Sequence, residues 1–257
     1  MVNNKFFFDT HAHNHAYHKG PEFYRSVIGD LAKIGSPVRL LDLGCGDGSF
    51  IKSIVDHGIS GDYLGIDISP SMLRFALEGL RERNVNLVVA DGFNLPLRPE
   101  VKFDLIHLDS VLHHLIGKTR SRSRCMARSL LEVMLKSLAD EGFMVIEEIY
   151  YSSYVISSMT SSVIFYGLKL INLFKLDLRR LIKPIIPGLQ VNFYSENELV
   201  DILNTYGEVR VIKKKPSRVL RFQKLFLQKE YGHVSFILKN LSRINSHSNV
   251  DSLEGDN

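Results

Sequence analysis

The stretch from Val38 to Phe50 constrains the fold of this chain more than any other. It reads VRLLDLGCGDGSF, so an apolar run of strand length passes directly into alternate glycines at Gly44, Gly46 and Gly48. Glycine lacks a Cβ and tolerates backbone conformations that other residues avoid, which suits a tight turn lying close against a ligand. The pattern therefore predicts a buried strand followed by a loop that binds a nucleoside-like cofactor.

The spacing of the glycines indicates the kind of cofactor. A dinucleotide-binding turn has the spacing G-x-G-x-x-G, which would require a glycine where this chain has Ser49. An acidic residue is expected about 20 residues further on, at the end of the next strand, where its carboxylate can accept hydrogen bonds from both ribose hydroxyls. Asp67 stands there, and Ser69-Pro70 follows as a helix start.

The motif that begins at Asp42, D-x-G-x-G-x-G, resembles the first motif of the class I S-adenosylmethionine-dependent methyltransferases, whose fold is Rossmann-like. Residues 85–96 and 103–115 resemble the third and fourth strands of that family with the turns that follow them. The resemblance covers residues 38–149 and implies S-adenosyl-L-methionine as the cofactor, with Asp91 at the adenine amino group. The implied cofactor-binding residues are Asp42, Gly44, Gly46, Gly48, Asp67, Ile68, Asp91, Gly92, Phe93 and Asp109.

Apolar runs of strand length alternate with helical patterns along the chain, which is typical of a parallel sheet covered on both faces. The predicted strands are 38–43, 62–67, 85–90, 103–108, 142–149, 209–216 and 233–240. The predicted helices are 21–34, 49–58, 70–83, 121–139 and 196–203. The resemblance implies an α/β fold with a doubly wound, mostly parallel seven-stranded sheet in the order 3-2-1-4-5-7-6, its last strand antiparallel.

The pattern of the sequence predicts five parts in the chain. They are an N-terminal arm (1–20), a cofactor-binding part (21–149), a helical lid inserted after strand 5 (150–204), the last two strands (205–243) and a disordered tail (244–257). Within the lid, residues 154–174 are mostly apolar with one charged residue, Lys169, but several serines make the segment too polar for a confident membrane span. A lid over the acceptor pocket is favoured, with peripheral docking on a membrane as the alternative.

Candidate catalytic residues follow the fourth predicted strand, on the side where the family binds the methyl acceptor. His113 and His114 stand there, and histidine is the side chain best suited to accept a proton near neutral pH. A structural role in the turn is the alternative. Glu147 and Glu148, at the end of the fifth strand, could orient a polar acceptor or form salt bridges.

The N-terminal arm invites a metal hypothesis that the rest of the chain does not support. The pattern H-x-H-x-H-x-x-H runs from His11 to His18, but no second cluster of ligands accompanies it, so we expect no metal. The lead-in from Phe8 to Tyr17 instead resembles an arm that folds over the cofactor in small-molecule methyltransferases, with its tyrosine displaced by two positions.

Charge is unevenly distributed along the chain. Residues 168–243 hold 15 Lys and Arg against 6 Asp and Glu, although the whole chain has a net charge of only +4. A basic surface could face an anionic substrate, nucleic acid or a membrane, and is often only solvated. An RNA methyltransferase using Arg120, Arg122 and Arg124 is one alternative, but the chain has no recognisable RNA-binding module.

The leading hypothesis is an S-adenosylmethionine-dependent methyltransferase that acts on a small, hydrophobic molecule, with nucleic acid an unlikely partner. A non-enzymatic module that only binds the cofactor is the other alternative, and the intact glycine motif with Asp67 and Asp91 argues against it. The chain has two cysteines and does not open on a signal-peptide pattern, so we expect a cytoplasmic location.

Overall fold

The computed structural model describes residues 25–34, 37–81, 83–174, 189–217 and 228–240 of the 257-residue chain. The strands are β1 (Val38–Leu43), β2 (Gly61–Asp67), β3 (Val85–Val89), β4 (Phe103–Asp109), β5 (Leu138–Ser153), β6 (Gly207–Ser217) and β7 (Gln228–Asn240). The helices are α1 (Arg25–Ile34), α2 (Ser49–Asp56), α3 (Pro70–Gly79), α4 (Arg120–Lys136), α5 (Ser157–Leu173) and α6 (Glu196–Leu203). The predicted arm (1–20) and tail (244–257) lie outside the described residues.

Within the described ranges, the strands form one seven-stranded sheet in the order β3-β2-β1-β4-β5-β7-β6. The first five strands pair in parallel, and β7 is antiparallel to both of its neighbours, β5 and β6. The predicted α/β class, the strand order and the antiparallel last strand are therefore confirmed.

Both faces of the sheet are buried, because successive side chains of a strand point to opposite faces. In β1, Val38 and Leu40 join a core with residues of α1, α2 and α3, which we call the α1–α3 face. Leu41 and Leu43 join a second core with residues of α4 and α6, the α4/α6 face. Each fully buried aliphatic side chain contributes about 1.5–3 kcal/mol, so the two cores hold the sheet between its helices.

The helices begin where the sequence predicts capping residues. The Ser69 hydroxyl accepts a hydrogen bond from the backbone N–H of Met72 at 3.2 Å, and Pro70 occupies the first turn of α3. Ser195 and Glu198 form the predicted reciprocal capping box at the start of α6.

Three predicted helices end earlier than expected. α2 ends at Asp56 rather than at residue 58. α3 ends at Gly79 rather than at residue 83, because Leu80 leaves the helical conformation with φ −107°. α4 ends at Lys136 rather than at residue 139, because the chain turns at Ser137 and Leu138 already pairs with the sheet.

Strand β5 is longer than the predicted 142–149 at both ends. It begins at Leu138 beside Phe103 of β4, and it continues to Ser153, which pairs with Gln228 of β7. Pairing with β7 sets where β5 ends, and the local sequence pattern does not show this pairing. Residues 150–153, assigned to the lid from the sequence, therefore belong to the sheet.

Helix α5 follows β5 and is attached to the domain by polar contacts. Ser153 and Thr160 share a hydrogen bond of 2.8 Å between their hydroxyls. The Lys169 ammonium group donates to the carbonyl oxygens of Gly117 (2.8 Å) and Lys118 (2.7 Å). No helix in the described part of the chain is long and apolar enough to cross a membrane.

Candidate active site

The glycine loop joins β1 to α2 with its three glycines in the left-handed region, at φ 73°, 54° and 74° for Gly44, Gly46 and Gly48. A Cβ on Gly48 would lie 2.7 Å from the side chain of Leu80, so this position serves packing. A Cβ on Gly46 would meet only the tip of Met72, at 3.3 Å, and a backbone oxygen 4.0 Å away. The open side of Gly46 therefore forms a cradle that a ligand can approach and that a side chain would fill.

Asp67, the last residue of β2, is attached to this loop. Its Oδ2 accepts a hydrogen bond from the backbone N–H of Gly46 at 2.9 Å, and its Oδ1 accepts one from Ser69 at 2.8 Å. An ionised carboxylate can accept about four hydrogen bonds, so it can still accept hydrogen bonds from a ligand while the two backbone donors hold it in position. The structure thus places the predicted ribose acceptor directly beside the glycine cradle, followed by the half-buried Ile68.

The predicted adenine-binding residues follow β3. The exposed Asp91 accepts a hydrogen bond from the backbone N–H of Phe93 at 3.0 Å, which closes a turn. A Cβ on Gly92 would lie 3.1 Å from the side chains of both Leu43 and Leu130, so this glycine lets the turn lie against the core.

Asp109 ends β4 and is followed by a strained residue that the sequence did not indicate. Ser110 has φ 58°, and its hydroxyl donates to Asp109 at 2.9 Å while its N–H donates to the carbonyl oxygen of Glu147 at 2.8 Å. A non-glycine residue in the left-handed region costs about 1–3 kcal/mol and often marks a functional site. This turn directs the chain into the 3₁₀ turn Leu112–His114.

The predicted cofactor residues meet at one edge of the sheet. β3, β2, β1 and β4 are parallel neighbours, so their carboxyl ends lie side by side. The chain order reverses between β1 and β4, the switch point where ligands bind in open α/β sheets. The glycine loop, Asp67, Asp91 and Asp109 all stand at these carboxyl ends.

Asp42 differs from the other predicted cofactor residues because its side chain lies in the core. It is 2% exposed, and its Oδ1 is 2.7 Å from Nδ1 of His107 on β4. Nε2 of His107 is 3.0 Å from Oε1 of Glu147, whose Oε2 accepts a hydrogen bond from Ser235 at 3.2 Å. These four side chains form the "sheet-crossing network" on the α1–α3 face. A direct cofactor contact of Asp42 stays a prediction.

The sequence did not indicate His107, because the apolar pattern of its strand, FDLIHLD, predicts burial and shows no partner for a histidine. Its ring stacks on Phe50 of α2 with the centroids 3.6 Å apart. Burial by itself would lower the pKa of His107, but the carboxylates of Asp42 and Glu147 outweigh burial and raise this pKa to about 9. Burial raises the pKa of Asp42, and His107 opposes that rise.

His113 lies on the opposite side of β5 from the sheet-crossing network. Its Nδ1 is 2.7 Å from Oε2 of Glu148, and Oε1 of Glu148 accepts a hydrogen bond from the backbone N–H of Leu112 at 2.6 Å. Both side chains are buried. No described residue is a hydrogen-bond partner of Nε2 of His113, whereas His114 is half-buried with its ring 4.1 Å from that of His113.

Two buried polar residues, Asn192 and Tyr194, adjoin the turn that carries this histidine. The backbone N–H of Asn192 donates to the carbonyl oxygen of His113 at 2.8 Å, and Phe193 stacks 6.2 Å from the His113 ring. Asn192 and Tyr194 are fully buried, yet neither the Asn192 amide nor the Tyr194 hydroxyl has a hydrogen-bond partner of normal geometry among the described residues. Burial raises the pKa of Tyr194, with Asn192 offsetting part of the rise, so the hydroxyl stays protonated.

Two of the three arginines in the run that could contact RNA, Arg120 and Arg124, form ion pairs within the protein. The buried Arg120 donates to both carboxylate oxygens of Glu198, at 2.9 and 2.8 Å, and Arg124 also pairs with Glu198. Burial tends to raise the pKa of Glu198, but these arginines and the Ser195 N–H lower it overall. Only Arg122 of the three lacks an acidic partner among the described residues.

Comparison with known proteins identifies the same domain class. Residues 41–144 match a family model described as a methyltransferase domain. An uncharacterized methyltransferase of Schizosaccharomyces pombe is 30% identical over 112 residues, which cover 41% of each chain. A malonyl-[acyl-carrier protein] O-methyltransferase of Acetivibrio thermocellus is 27% identical over 150 residues, 56% of this chain and 51% of the relative. The chain thus spans about half or less of the length of these relatives.

The fold is shared over most of its length with a solved methyltransferase. The magnesium protoporphyrin IX methyltransferase of Synechocystis PCC 6803, with bound S-adenosylmethionine, aligns with a TM-score of 0.53 at 14% identity, covering 91% of this chain and 95% of that one. Residues 41–144 therefore match a methyltransferase domain, and the chain shares the Rossmann-like fold of that solved methyltransferase. Both findings confirm the resemblance seen in the glycine motif.

We expect Asp67→Asn to weaken binding of S-adenosylhomocysteine about tenfold or more. A hydrogen bond to an ionised group contributes about 1.5–3 kcal/mol, and the amide can no longer hold both backbone donors with its two terminal atoms. Isothermal calorimetry measures the change. Asp62→Asn, an exposed residue near the other end of β2, is the matched control and should leave the dissociation constant unchanged. Equal affinities of the Asp67 variant and the wild type would contradict the ribose assignment.

The raised pKa of His107 predicts a specific loss of stability at alkaline pH. Because the folded-state pKa of about 9 lies above the unfolded value, the stabilisation is complete below about pH 6.5 and is lost as the pH rises through 9. Urea unfolding at both pH values should show a larger alkaline loss for the wild type than for His107→Gln. The exposed His57→Gln should behave as the wild type. The same alkaline loss in all three proteins would refute the interpretation.

Proposed function

We propose that this chain transfers the methyl group of S-adenosyl-L-methionine to a small, hydrophobic acceptor that presents a hydroxyl or another acidic proton. The observation that carries the proposal is the proximity in the fold of two features at the carboxyl edge of the sheet. One is the glycine cradle with Asp67, which follows β1 and β2. The other is the buried pair His113–Glu148, in which His113 follows β4 and Glu148 lies in the neighbouring strand β5.

The cofactor would lie across the ends of β1, β2, β3 and β4. Asp67 would accept hydrogen bonds from the ribose hydroxyls, and Gly46 would let the cofactor lie against the backbone. Asp91 and Phe93 would contact the adenine ring. The open side of Gly46 and the fixed position of the Asp67 carboxylate fit such a group. S-adenosyl-L-methionine, when bound, supplies an electrophilic methyl group on a sulfonium. The largest contribution of the protein is to hold acceptor and methyl in line at about 3 Å.

His113 is our candidate general base. Glu148 is 2.7 Å from Nδ1, which orients the ring and stabilises the positive charge that forms when Nε2 takes a proton. The acceptor proton would move to Nε2 while the acceptor oxygen bonds to the methyl carbon and the carbon–sulfur bond breaks. His114, whose ring centroid lies 4.1 Å from that of His113 at an interplanar angle of 45°, would support the His113 ring.

Asn192 and Tyr194 are our candidates for orienting the acceptor. A buried polar group without a partner costs about 1–3 kcal/mol, and both residues carry such groups beside the His113 turn. An acceptor with a hydroxyl, carbonyl or carboxylate would satisfy them. The lid formed by α5 then covers the acceptor, and its polar inner side suits a ligand with a polar end.

The structure supports a small acceptor over RNA. Two of the three arginines of the RNA hypothesis are paired with Glu198, which leaves no continuous basic patch at that position among the described residues. Lys214 is likewise paired with Glu196 and Glu230. A cytoplasmic location remains part of the proposal, and both cysteines, Cys45 and Cys125, are free thiols as a reducing compartment requires.

Radiolabelled methyl transfer tests the proposed function. Protein incubated with the labelled cofactor and a cell extract should move the label into the fraction of small, lipid-soluble molecules. Label found only in RNA or only in protein would overturn the acceptor class. Binding of S-adenosylhomocysteine without any transfer would favour the cofactor-binding module.

We expect His113→Gln to lower the rate of methyl transfer by a factor of about 10²–10⁴, the usual contribution of a general base. Affinity for S-adenosylhomocysteine should stay within about twofold of the wild type, because the base lies outside the cofactor cradle. His114→Gln is the matched variant and should retain most of the rate. A His113 variant that folds with a normal melting temperature and keeps full activity would exclude the base role.

A further inference from the structure

Helix α5 exposes a continuous apolar stripe to solvent. The stripe consists of side chains spaced alternately three and four residues apart, which places them on one face of a helix. Its members and their exposed fractions are Ile156 (60%), Met159 (59%), Val163 (60%), Tyr166 (45%), Leu170 (54%) and Leu173 (73%). Tyr154, Val155 and Phe174, which are 67%, 54% and 66% exposed, extend the apolar stripe at its ends.

The polarity of α5 is the reverse of that expected for a helix on a water-facing surface. Its buried residues are Thr160, Ser161 and Phe165, so two hydroxyl side chains face the protein beside one aromatic ring, while Met159, Val163 and Leu170 face outward. A surface helix normally turns its apolar face to the core. Large contiguous apolar patches on a protein surface mark binding sites for proteins, ligands or membranes.

No ionised side chain on the helix opposes burial of the apolar stripe. The only Lys, Arg, Asp or Glu in α5 is Lys169, and its ammonium group is directed to the carbonyl oxygens of Gly117 and Lys118. The stripe could therefore enter an apolar environment without removing a free charge from water.

The chain that follows the stripe complements an anionic surface. Residues 175–188 contain four basic residues against one acidic residue, Asp177. The basic residues are Lys175, Arg179, Arg180 and Lys183. An apolar helical face with adjoining Lys and Arg residues is the combination that binds at the interface of membranes containing anionic lipids.

We propose that the apolar stripe of α5 docks the protein peripherally on an anionic lipid bilayer. The aliphatic side chains insert at the boundary between headgroups and acyl chains, and the positive charge of the sequence after the helix attracts the anionic headgroups. This docking is independent of methyl transfer, since it requires neither cofactor nor acceptor. Helix α5 has 17 residues and lies along the surface of the membrane in this arrangement.

Sedimentation of the full chain with lipid vesicles tests the docking. Vesicles of phosphatidylcholine with about one quarter phosphatidylserine should retain the protein at low salt, and retention should fall several-fold at high salt because the lipid charge is screened. Vesicles of phosphatidylcholine alone should retain it at least tenfold less. Failure of the unmodified protein to bind either kind of vesicle would overturn the proposal.

Two variants separate the stripe from the basic residues. The triple substitution Met159→Gln, Val163→Gln and Leu170→Gln should lower vesicle binding at least tenfold, and a charge reversal at Lys175, Arg179, Arg180 and Lys183 should abolish its salt dependence. The matched control replaces exposed apolar residues elsewhere, Leu77→Gln and Val89→Gln, which are 60% and 49% exposed, and should bind as the wild type.

The other occupants of the stripe give different results. If a second copy of the chain covers it, the wild type sediments as a dimer, the triple variant as a monomer, and vesicles retain neither. If residues 1–24 or 175–188 of the same chain cover it, the wild type is monomeric and does not bind vesicles, and the triple variant loses melting temperature. Either result overturns membrane docking, as would equal vesicle binding by the triple variant and the wild type.

Discussion

The pairing of His107 with Asp42 and Glu147 is the interaction on which the rest of the site depends. It places the His107 ring between two carboxyl groups in the middle of the sheet, where an unpaired charge would cost several kcal/mol. Each partner stands on a different strand, so the network connects β1, β4 and β5, and Ser235 extends it to β7. Asp42 lies two residues before Gly44. The network therefore connects the start of the glycine loop to β4, which precedes the His113 turn, and to β5, which carries Glu148.

Strand β5 serves both sides of the site because adjacent residues of a strand point to opposite faces. Glu147 joins the sheet-crossing network on the α1–α3 face, whereas Glu148 reaches His113 on the other face. The strained turn at Ser110 contributes to the same arrangement, since its N–H bonds to the Glu147 carbonyl and its position directs the chain toward His113. The geometry of the candidate base is thus determined by the same strands that position the cofactor loop.

Helix α5, which we propose as a lid, combines two surfaces with different chemistry. Its inner side carries the hydroxyls of Thr160 and Ser161 together with the ring of Phe165. Its outer side carries the apolar stripe. An enzyme whose acceptor dissolves in membranes would benefit from both, because a polar interior orients the reacting group while an apolar exterior brings the protein to the acceptor. The two proposals remain separable, since vesicle binding can be measured without catalysis.

The sequence by itself determined the glycine loop, Asp67 and the helix caps, because each depends on local patterns of glycine, charge and apolar periodicity. The strand order was implied by the resemblance to a known family and not by these local patterns. Tertiary structure alone decided that Asp42 turns to His107 across 65 positions of the chain and that Glu148 meets His113 across 35. It also decided the full length of β5, which follows from its pairing with β7. The sequence also did not show which face of α5 points outward. A helical pattern shows that apolar residues share a face, but only the packing shows which face contacts the protein.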